Sequence, residues 1–558
     1  MKSFSTLCIS IFTLSVLITS CKKEKKEVIE KPVPVLWENN EETEELAIQK
    51  EHENPRMQFK LLQSKFTDKN DIYADLYWEV TNFSEERYKE LSPFILEKNI
   101  PSIQKEIEKG TFTYKELTLF YLKRIYKYEL NPETTLHTII ALNPRVLDEA
   151  VERDNNNESK VHPIYGMPIL LKDNINTSNM PTTAGAVVLQ ENNPTENAFI
   201  VSQLESKGAL ILGKVNLSEW AYYFCSGCPL GYSAIGGQTL NPYGRKIFET
   251  GGSSAGSGTA VAANYAVAAI GTETSGSIIS PTSQNSLVGL KPTIGVVSRT
   301  GIVPISHSLD TAGPMAKNTI DAAIVLDAIS GKDEIDTATI SKDHDYVSSI
   351  KNSTLKGKRL GALNNLLEDS LYAETIKILE NQGAEIIKYD PPQLQLNGFL
   401  TLLNIEMRED LPKYLANYTS ENISVKNLSE VMAFNQKDSL LNMPYNQALF
   451  DGIMVDSTSS EDFVKLRDEL MQKGNQFFQE PMEKHQLDAV ISINNYHSGY
   501  AAVGRRPCLA LPMGYKENGE PIAITFIGAS NSEALLIQLG AAYEKANPVR
   551  KIPQQFSK

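Results

Sequence analysis

Residues 251–277 read Gly251-Gly-Ser-Ser-Ala-Gly-Ser-Gly258, Thr259-Ala-Val-Ala-Ala-Asn264, Tyr265, Ala266-Val-Ala-Ala-Ile270 and Gly271-Thr-Glu-Thr-Ser-Gly-Ser277. A small-residue loop leads into an alanine-rich helical stretch, a strand-like run and a second small-residue loop. A glycine- and serine-rich loop at a helix N-terminus presents backbone N–H groups and a positive dipole end to anything negative, so phosphate cradling is one reading. No lysine follows as a P-loop requires, and the glycine spacing misses the dinucleotide fingerprint, which sets that reading aside.

The second loop follows a strand, at the end where open α/β sheets place reactive groups. One helix and one returning strand bring the two loops side by side, with Ser277 twenty-four positions after Ser253. A serine hydroxyl attacks only when a base takes its proton, and N–H groups clustered around Thr274 to Ser277 could hold the resulting oxyanion. This is the apparatus of acyl transfer. Upstream, Gly166-Met-Pro-Ile-Leu-Leu-Lys172-Asp-Asn174 places a lysine at the end of a short apolar strand. Burial there moves an amine down from roughly 10.4 by as much as several units, toward the range of a general base. On this segment alone, a surface lysine after an edge strand is the simpler reading.

Together with Gly289-Leu-Lys-Pro-Thr293, these blocks resemble the amidase signature family. The similarity runs from about Pro93 to Glu544 and includes Pro521-Ile-Ala-Ile-Thr-Phe-Ile-Gly528. Thr272-Glu-Thr274, Gly237-Gln-Thr-Leu-Asn-Pro242 and Ser306 to Ala316 resemble the bacterial branch that includes peptide amidases. The resemblance implies an α/β fold, an α/β/α sandwich with a large mixed central sheet and a cleft above the serine loops. It implies a Ser-Ser-Lys triad in which Ser277 is the nucleophile, Ser253 the bridging proton relay and Lys172 the base. The backbone N–H groups of Thr274, Ser275, Gly276 and Ser277 match the family's oxyanion hole. The implied reaction is hydrolysis of a linear carboxamide through an acyl-enzyme, peptide C-terminal amides first and small or aryl carboxamides second, with no metal or cofactor. Two positions depart from the common pattern: Ser275 stands where glycine is frequent, and Ile279 where many members carry arginine.

Other readings compete. Gly252-Ser-Ser254-Ala-Gly256 satisfies the G-x-S-x-G elbow, with Ser254 as nucleophile and His307, His344, His485 or His497 as partner, though the run before it is a marginal strand. Ser102-Ile-Gln-Lys105 and Ser353-Thr-Leu-Lys356 match S-x-x-K without the companion motifs. Asp310 and Arg299 could line the site, but structural pairing is the better reading of each. Glu273 would hinder an oxyanion unless it points away. Cys225-Ser-Gly-Cys228 has no second pair to make a zinc site. A lipid-anchored binding protein without catalysis is opposed by the intact triad positions. An amidotransferase subunit serving tRNA is opposed by export and by charge.

The 558 residues are 41% hydrophobic and 22% charged, enough to bury a sizeable core. Fifty-four Lys and Arg against 68 Asp and Glu give a formal charge of -14, which repels nucleic acid. Residues 1–20 carry Lys2 and an apolar stretch from Leu7 to Ile18, the length of a signal-peptide core. Leu17-Ile-Thr-Ser-Cys21 resembles a bacterial lipobox, which would leave Cys21 as a lipid-modified first residue, tethering the chain to the periplasmic or outer-membrane side of a bacterial cell envelope. Residues 21–56 read as a charged flexible spacer, 57–92 as an N-terminal extension and 93–558 as the amidase domain. Thr113 and Glu116 form a capping box that starts a helix. In an oxidising compartment Cys225 and Cys228 could pair, though three body cysteines, an odd number, favour inert packing residues. Oligomeric state is left open.

Overall fold

Strands buried on both faces read as continuous apolar runs, because helices cover the sheet on either side. Pro168–Lys172, Leu210–Val215 and Ala268–Glu273 are such strands, buried at every position. The computed structural model describes residues 32–156, 162–341 and 345–557. The lipobox and Cys21 lie outside them, as does His344. In chain order the strands are β1 (Ile139–Leu142), β2 (Pro168–Lys172), β3 (Leu210–Val215), β4 (Tyr232–Ser233) and β5 (Gly237–Gln238). β6 (Ala268–Glu273), β7 (Val288–Lys291), β8 (Thr311–Ala316) and β9 (Arg359–Leu363) follow. β10 (Glu385–Tyr389), β11 (Ala489–Ile493), β12 (Cys508–Tyr515) and β13 (Pro521–Ile527) complete the set.

Eleven of these form one mixed sheet in the order β1-β3-β2-β6-β8-β7-β12-β13-β11-β9-β10, while β4 and β5 make a separate hairpin. The α/β fold with a large mixed central sheet and flanking helices is therefore present. Parallel pairing of β2 with β6 sets Leu171 opposite Ile270, which carries Lys172 to the level where the second serine loop begins.

The helix of the first serine loop spans Ala255–Ala262, four residues earlier than expected from the alanine-rich run. Gly256 and Gly258 belong to its first turns. Glycine is needed there for close approach rather than for a loop: a Cβ on Gly256 would stand 2.4 Å from the Asn216 carbonyl oxygen. The helix Tyr114–Glu129 starts as expected, with Thr113 Oγ1 accepting from the Glu116 amide and Glu116 Oε2 accepting from the Thr113 amide, both at 3.1 Å.

Val35–Lys558 form one compact unit, so the spacer reading fails for its later part. Trp37 is buried with the Lys69 ammonium over its ring, and Asn70 Oδ1 accepts from the amides of Leu36 and Trp37. Glu42 is buried and accepts from the Gln63 amide at 2.5 Å, and Thr43–Lys50 is a helix. A buried tryptophan, a buried glutamate and the half-buried Asn70 hold down a segment whose average composition is that of a linker. Residues 57–92 contribute the helices Lys69–Ala74 and Tyr77–Asn82 and most of Glu85–Ile95, and Tyr126 donates to the Tyr73 carbonyl at 2.6 Å.

A second apolar core, separate from the one along the sheet, joins Trp220, Tyr223 and Phe224 to the helices Phe399–Asn417, Ala448–Val455 and Ser460–His485. Arg124, fully buried, donates to the carbonyls of Ala263 (3.0 Å), Asn264 (3.1 Å) and Phe556 (2.7 Å) and to the Tyr88 hydroxyl (2.7 Å). It ties the end of the Ala255–Ala262 helix to the chain's C-terminal segment. Arg124→Met leaves those carbonyls without a donor and is expected to lower stability by about 3 kcal/mol or more, read as a lowered urea midpoint with an unchanged slope.

Candidate active site

The Ala255–Ala262 helix packs along β6, so the start of the helix and the residue before it meet β6 and the loop beyond it. Three hydrogen bonds lace them together. Ser257 Oγ donates to the Ile270 carbonyl at 3.0 Å, Ser254 Oγ to the Thr272 carbonyl at 3.1 Å, and the Ser254 amide to the Ser277 carbonyl at 3.2 Å. Ser253 is buried, with its carbonyl accepting from the Ser218 amide at 3.0 Å, and the Gly252–Ser253 peptide is cis. Ser277 is 9% exposed, against 1% for Ser253.

Lys172, the last residue of β2, is 0% exposed. Its Nζ lies 2.7 Å from Ser253 Oγ, 2.8 Å from Thr272 Oγ1 and 3.2 Å from the Thr272 carbonyl oxygen. Burial pushes its pKa down to about 7, against the opposing pull of Asp310 and Glu273. The three contacts fix where the protons go. The Thr272 carbonyl can only accept, and Thr272 Oγ1, which also accepts from Asn174 Nδ2 at 3.0 Å, takes a second N–H. A neutral amine that donates to both Thr272 oxygens keeps its lone pair for the Ser253 hydroxyl, which is the geometry of a base drawing a proton from Ser253.

The loop from Thr274 to Ser277 is the one the family resemblance assigns to the oxyanion hole. The amides of Ser275, Gly276 and Ser277 donate to no protein acceptor among the described residues, whereas the next two, Ile278 and Ile279, are taken by Glu273 Oε2 at 2.7 and 3.0 Å. Glu273 is thus turned to the start of the following helix, Ile279–Gln284. Ile279 is itself buried, so the departure from arginine falls in the core. Asp310 Oδ1 accepts from Thr274 Oγ1 at 2.6 Å, and Oδ2 from the amides of Ile305 and Ser306 at 2.8 Å each. Burial pushes Asp310 up to about 6. Arg299 pairs with Asp336, 2.8 Å at Nε. Both are thus structurally paired, and both also border the cavities at the site. A cavity of about 10 Å³ borders Asn174, Thr272, Thr274 and Asp310, and beside it, sharing Arg299, Ile302 and Asp310, one of about 260 Å³ reaches His307, Tyr414 and Tyr418.

The elbow reading fails on geometry. Ser254 Oγ is fully buried and occupied on both sides by the Thr272 backbone, donating to its carbonyl and accepting from its amide at 3.2 Å. Its described histidine candidates are engaged elsewhere: His307 with Asp410 (2.7 Å), His497 with Ser492 (2.6 Å) and His485 against the Tyr389 ring. Cys225 and Cys228 form a disulfide, correcting the inert-packing reading. Thr272 and Asn174, which orient the Lys172 amine, escaped sequence reasoning as individual residues. Their only signal was membership of the two blocks that carry Lys172 and Ser277.

A family model described as Amidase matches residues 116–537. A probable amidase of Arabidopsis thaliana is 35% identical over 479 residues, covering 82% of this chain and 92% of its own. Among solved structures, an amidase family protein from Bacillus anthracis superposes with a TM-score of 0.84 at 35% identity, over 88% of this chain and 99% of that one. The native peptide amidase of Stenotrophomonas maltophilia gives 0.77 at 36% identity, over 82% and 99%.

The buried amine makes a thermodynamic prediction independent of catalysis. Between about pH 7 and about 10 the unfolded chain carries a proton on Lys172 that the folded chain lacks, so its contribution to stability rises with pH, by up to about 1.4 kcal/mol per unit. That contribution is complete above the unfolded pKa and is lost as pH falls toward 7. Lys69 and Lys317, lowered to about 8 by burial, add slope of the same sign, so denaturation at pH 7.5 and 9 is expected to show a rise in stability with pH that is smaller in Lys172→Met by up to about 1.4 kcal/mol per unit.

Proposed function

Because the chain belongs to the amidase family and is a hydrolase acting on carbon–nitrogen bonds, we propose that it cleaves linear carboxamides through Lys172, Ser253 and Ser277, with peptide C-terminal amides as the first substrate class. The observation that carries this reading is the 2.7 Å contact between Ser253 Oγ and an amine that burial holds near neutrality. Neutral Lys172 draws the proton of Ser253, Ser253 draws that of Ser277, and Ser277 Oγ attacks the carboxamide carbon. The free amides of Ser275, Gly276 and Ser277 receive the charge that develops on the carbonyl oxygen. As the tetrahedral adduct collapses, the C–N bond breaks, and the proton held on Lys172 returns through Ser253 to the departing nitrogen. Water then attacks the acyl ester along the same proton path in reverse, releasing the acid and restoring Ser277. The peptide amidase of Stenotrophomonas maltophilia supports peptide amides as the first substrates to try.

We also propose that the chain is exported and anchored through a lipid on Cys21. The Cys225–Cys228 disulfide accords with an oxidising compartment. Metabolic labelling with a palmitate analogue in a bacterial host is expected to mark the wild type and not Cys21→Ser, and equal labelling of both would refute the anchor.

For the chemistry, a fluorophosphonate probe applied to the full chain is expected to label Ser277. Labelling is expected to vanish in Ser277→Ala, persist in Ser254→Ala and slow by about a hundredfold or more in Lys172→Ala. Because the base works only as the neutral amine, kcat/KM on a peptide amide is expected to rise with pH through about 7 and then level off. Labelling at Ser254, or a rate indifferent to Lys172, contradicts the proposal. Better turnover of small or aryl carboxamides than of peptide amides would transfer the reading to that class.

A further inference from the structure

The loop that follows β11 comes up against the nucleophile loop. A Cβ placed on Gly276, whose φ is +89°, would lie 3.2 Å from Asn495 Nδ2 and 3.5 Å from Ser498 Cβ. Gly276 thus sits directly beneath the Asn495 carboxamide, one residue before Ser277. This proximity is built in from behind. Asn494 adopts a left-handed conformation (φ 45°), its amide donates to the Ala523 carbonyl at 2.9 Å, and its Oδ1 accepts from the Ala523 amide at 2.8 Å. Thr525 Oγ1 donates to the Asn494 carbonyl at 2.6 Å. On the other flank Ser498 donates from its amide to the Asn495 carbonyl at 3.1 Å, opening the helix Ser498–Val503. Asn495 and Tyr496 are therefore presented outward from a backbone fixed on both sides, and Tyr496 is 59% exposed.

Asparagines elsewhere around the site are spent on the protein: Asn174 donates to Thr272, Asn216 to the Gly237 carbonyl and Asn285 to the Thr250 carbonyl. The Asn495 side chain makes no hydrogen bond to the described protein and is exposed. A carboxamide offers one acceptor and a pair of donors in a single plane, which matches the C=O and N–H of a peptide unit. Its exposure argues against a second oxyanion donor, because that role depends on a site from which water is excluded. Resting on the proposed reaction at Ser277, we infer that Asn495 is a specificity-determining residue that hydrogen-bonds the amide group next to the scissile carboxamide. The preferred substrates then carry a second amide on the carbon that bears the scissile carbonyl, as N-acylated amino acid amides and peptide amides do.

The test compares N-acetyl-leucinamide with 4-methylpentanamide, which keeps the leucyl carbon skeleton and lacks the acetamido group, in the full-length wild type, Asn495→Leu and Asn495→Asp. The wild type is expected to favour the acetylated substrate. Asn495→Leu is expected to reduce kcat/KM on it by about tenfold or more, mostly in KM, while 4-methylpentanamide turnover and fluorophosphonate labelling of Ser277 stay within about twofold. Asn495→Asp, which keeps an acceptor and loses the donors, falls between. A wild type that labels at Ser277 yet gains nothing from the acetamido group overturns the inference alone, as does a substitution that slows both substrates and labelling alike. Absence of labelling at Ser277 in the wild type overturns the proposed reaction and this inference with it.

Discussion

Removing water from the Lys172 amine governs this site. A lysine at the end of a strand buried on both faces has no solvent to stabilise its charge, and no carboxylate touches it. Its three contacts are hydroxyls and a carbonyl, and loss of solvent lowers its pKa to about 7, so the neutral amine is available near pH 7 and directs its lone pair to Ser253. Lys214, equally buried one strand away, shows the alternative. There Asp173 stands 3.2 Å from the amine and makes an ion pair. Burial lowers both amines, but Lys214 has Asp173 in direct contact, whereas Lys172 meets only hydroxyls and a carbonyl and feels Asp310 and Glu273 from a distance.

The rest of the architecture serves that placement. Parallel pairing of β2 and β6, with Leu171 opposite Ile270, brings Lys172 within hydrogen-bonding reach of Thr272, and the small residues of the Ala255–Ala262 helix let its N-terminus settle against Asn216 and β6. Ser253 is then held between the Ser218 amide behind and Lys172 in front. The helices from 399 to 485 build a second core on the 220–232 segment, alongside the 260 Å³ cavity that includes Tyr414 and Tyr418. Chemistry rests on the sheet, and the helical excursion shapes what can reach it.

Much of this was legible in the residues, and the failures have physical causes. Lys172, Ser253 and Ser277 stand in short blocks whose glycines and serines tolerate little change of shape, so the blocks point to one fold and one arrangement. Thr272 and Asn174 were not singled out, because their role appears only once β2 and β6 pair in a given register. The Ala255 helix start was misplaced because glycine was read as a loop former, whereas Gly256 is helical and needed for contact with Asn216. The spacer was overextended because a charge-rich average hid Trp37 and Glu42, each held by a specific partner. Asn495 lies in an undistinguished stretch of sequence some 200 residues after Gly276, and nothing local marks their proximity.

The central claim, that Lys172 and Ser253 together activate Ser277, is tested most directly by trapping the acyl-enzyme with a slowly deacylating activated ester and locating it by peptide mass spectrometry. The account predicts a single acyl group on Ser277. Its formation should be strongly slowed in Ser253→Ala, with no further slowing when Lys172→Ala is added, because the two residues act as one relay. Acylation at another serine, or independent, multiplicative losses from the two substitutions, would contradict it.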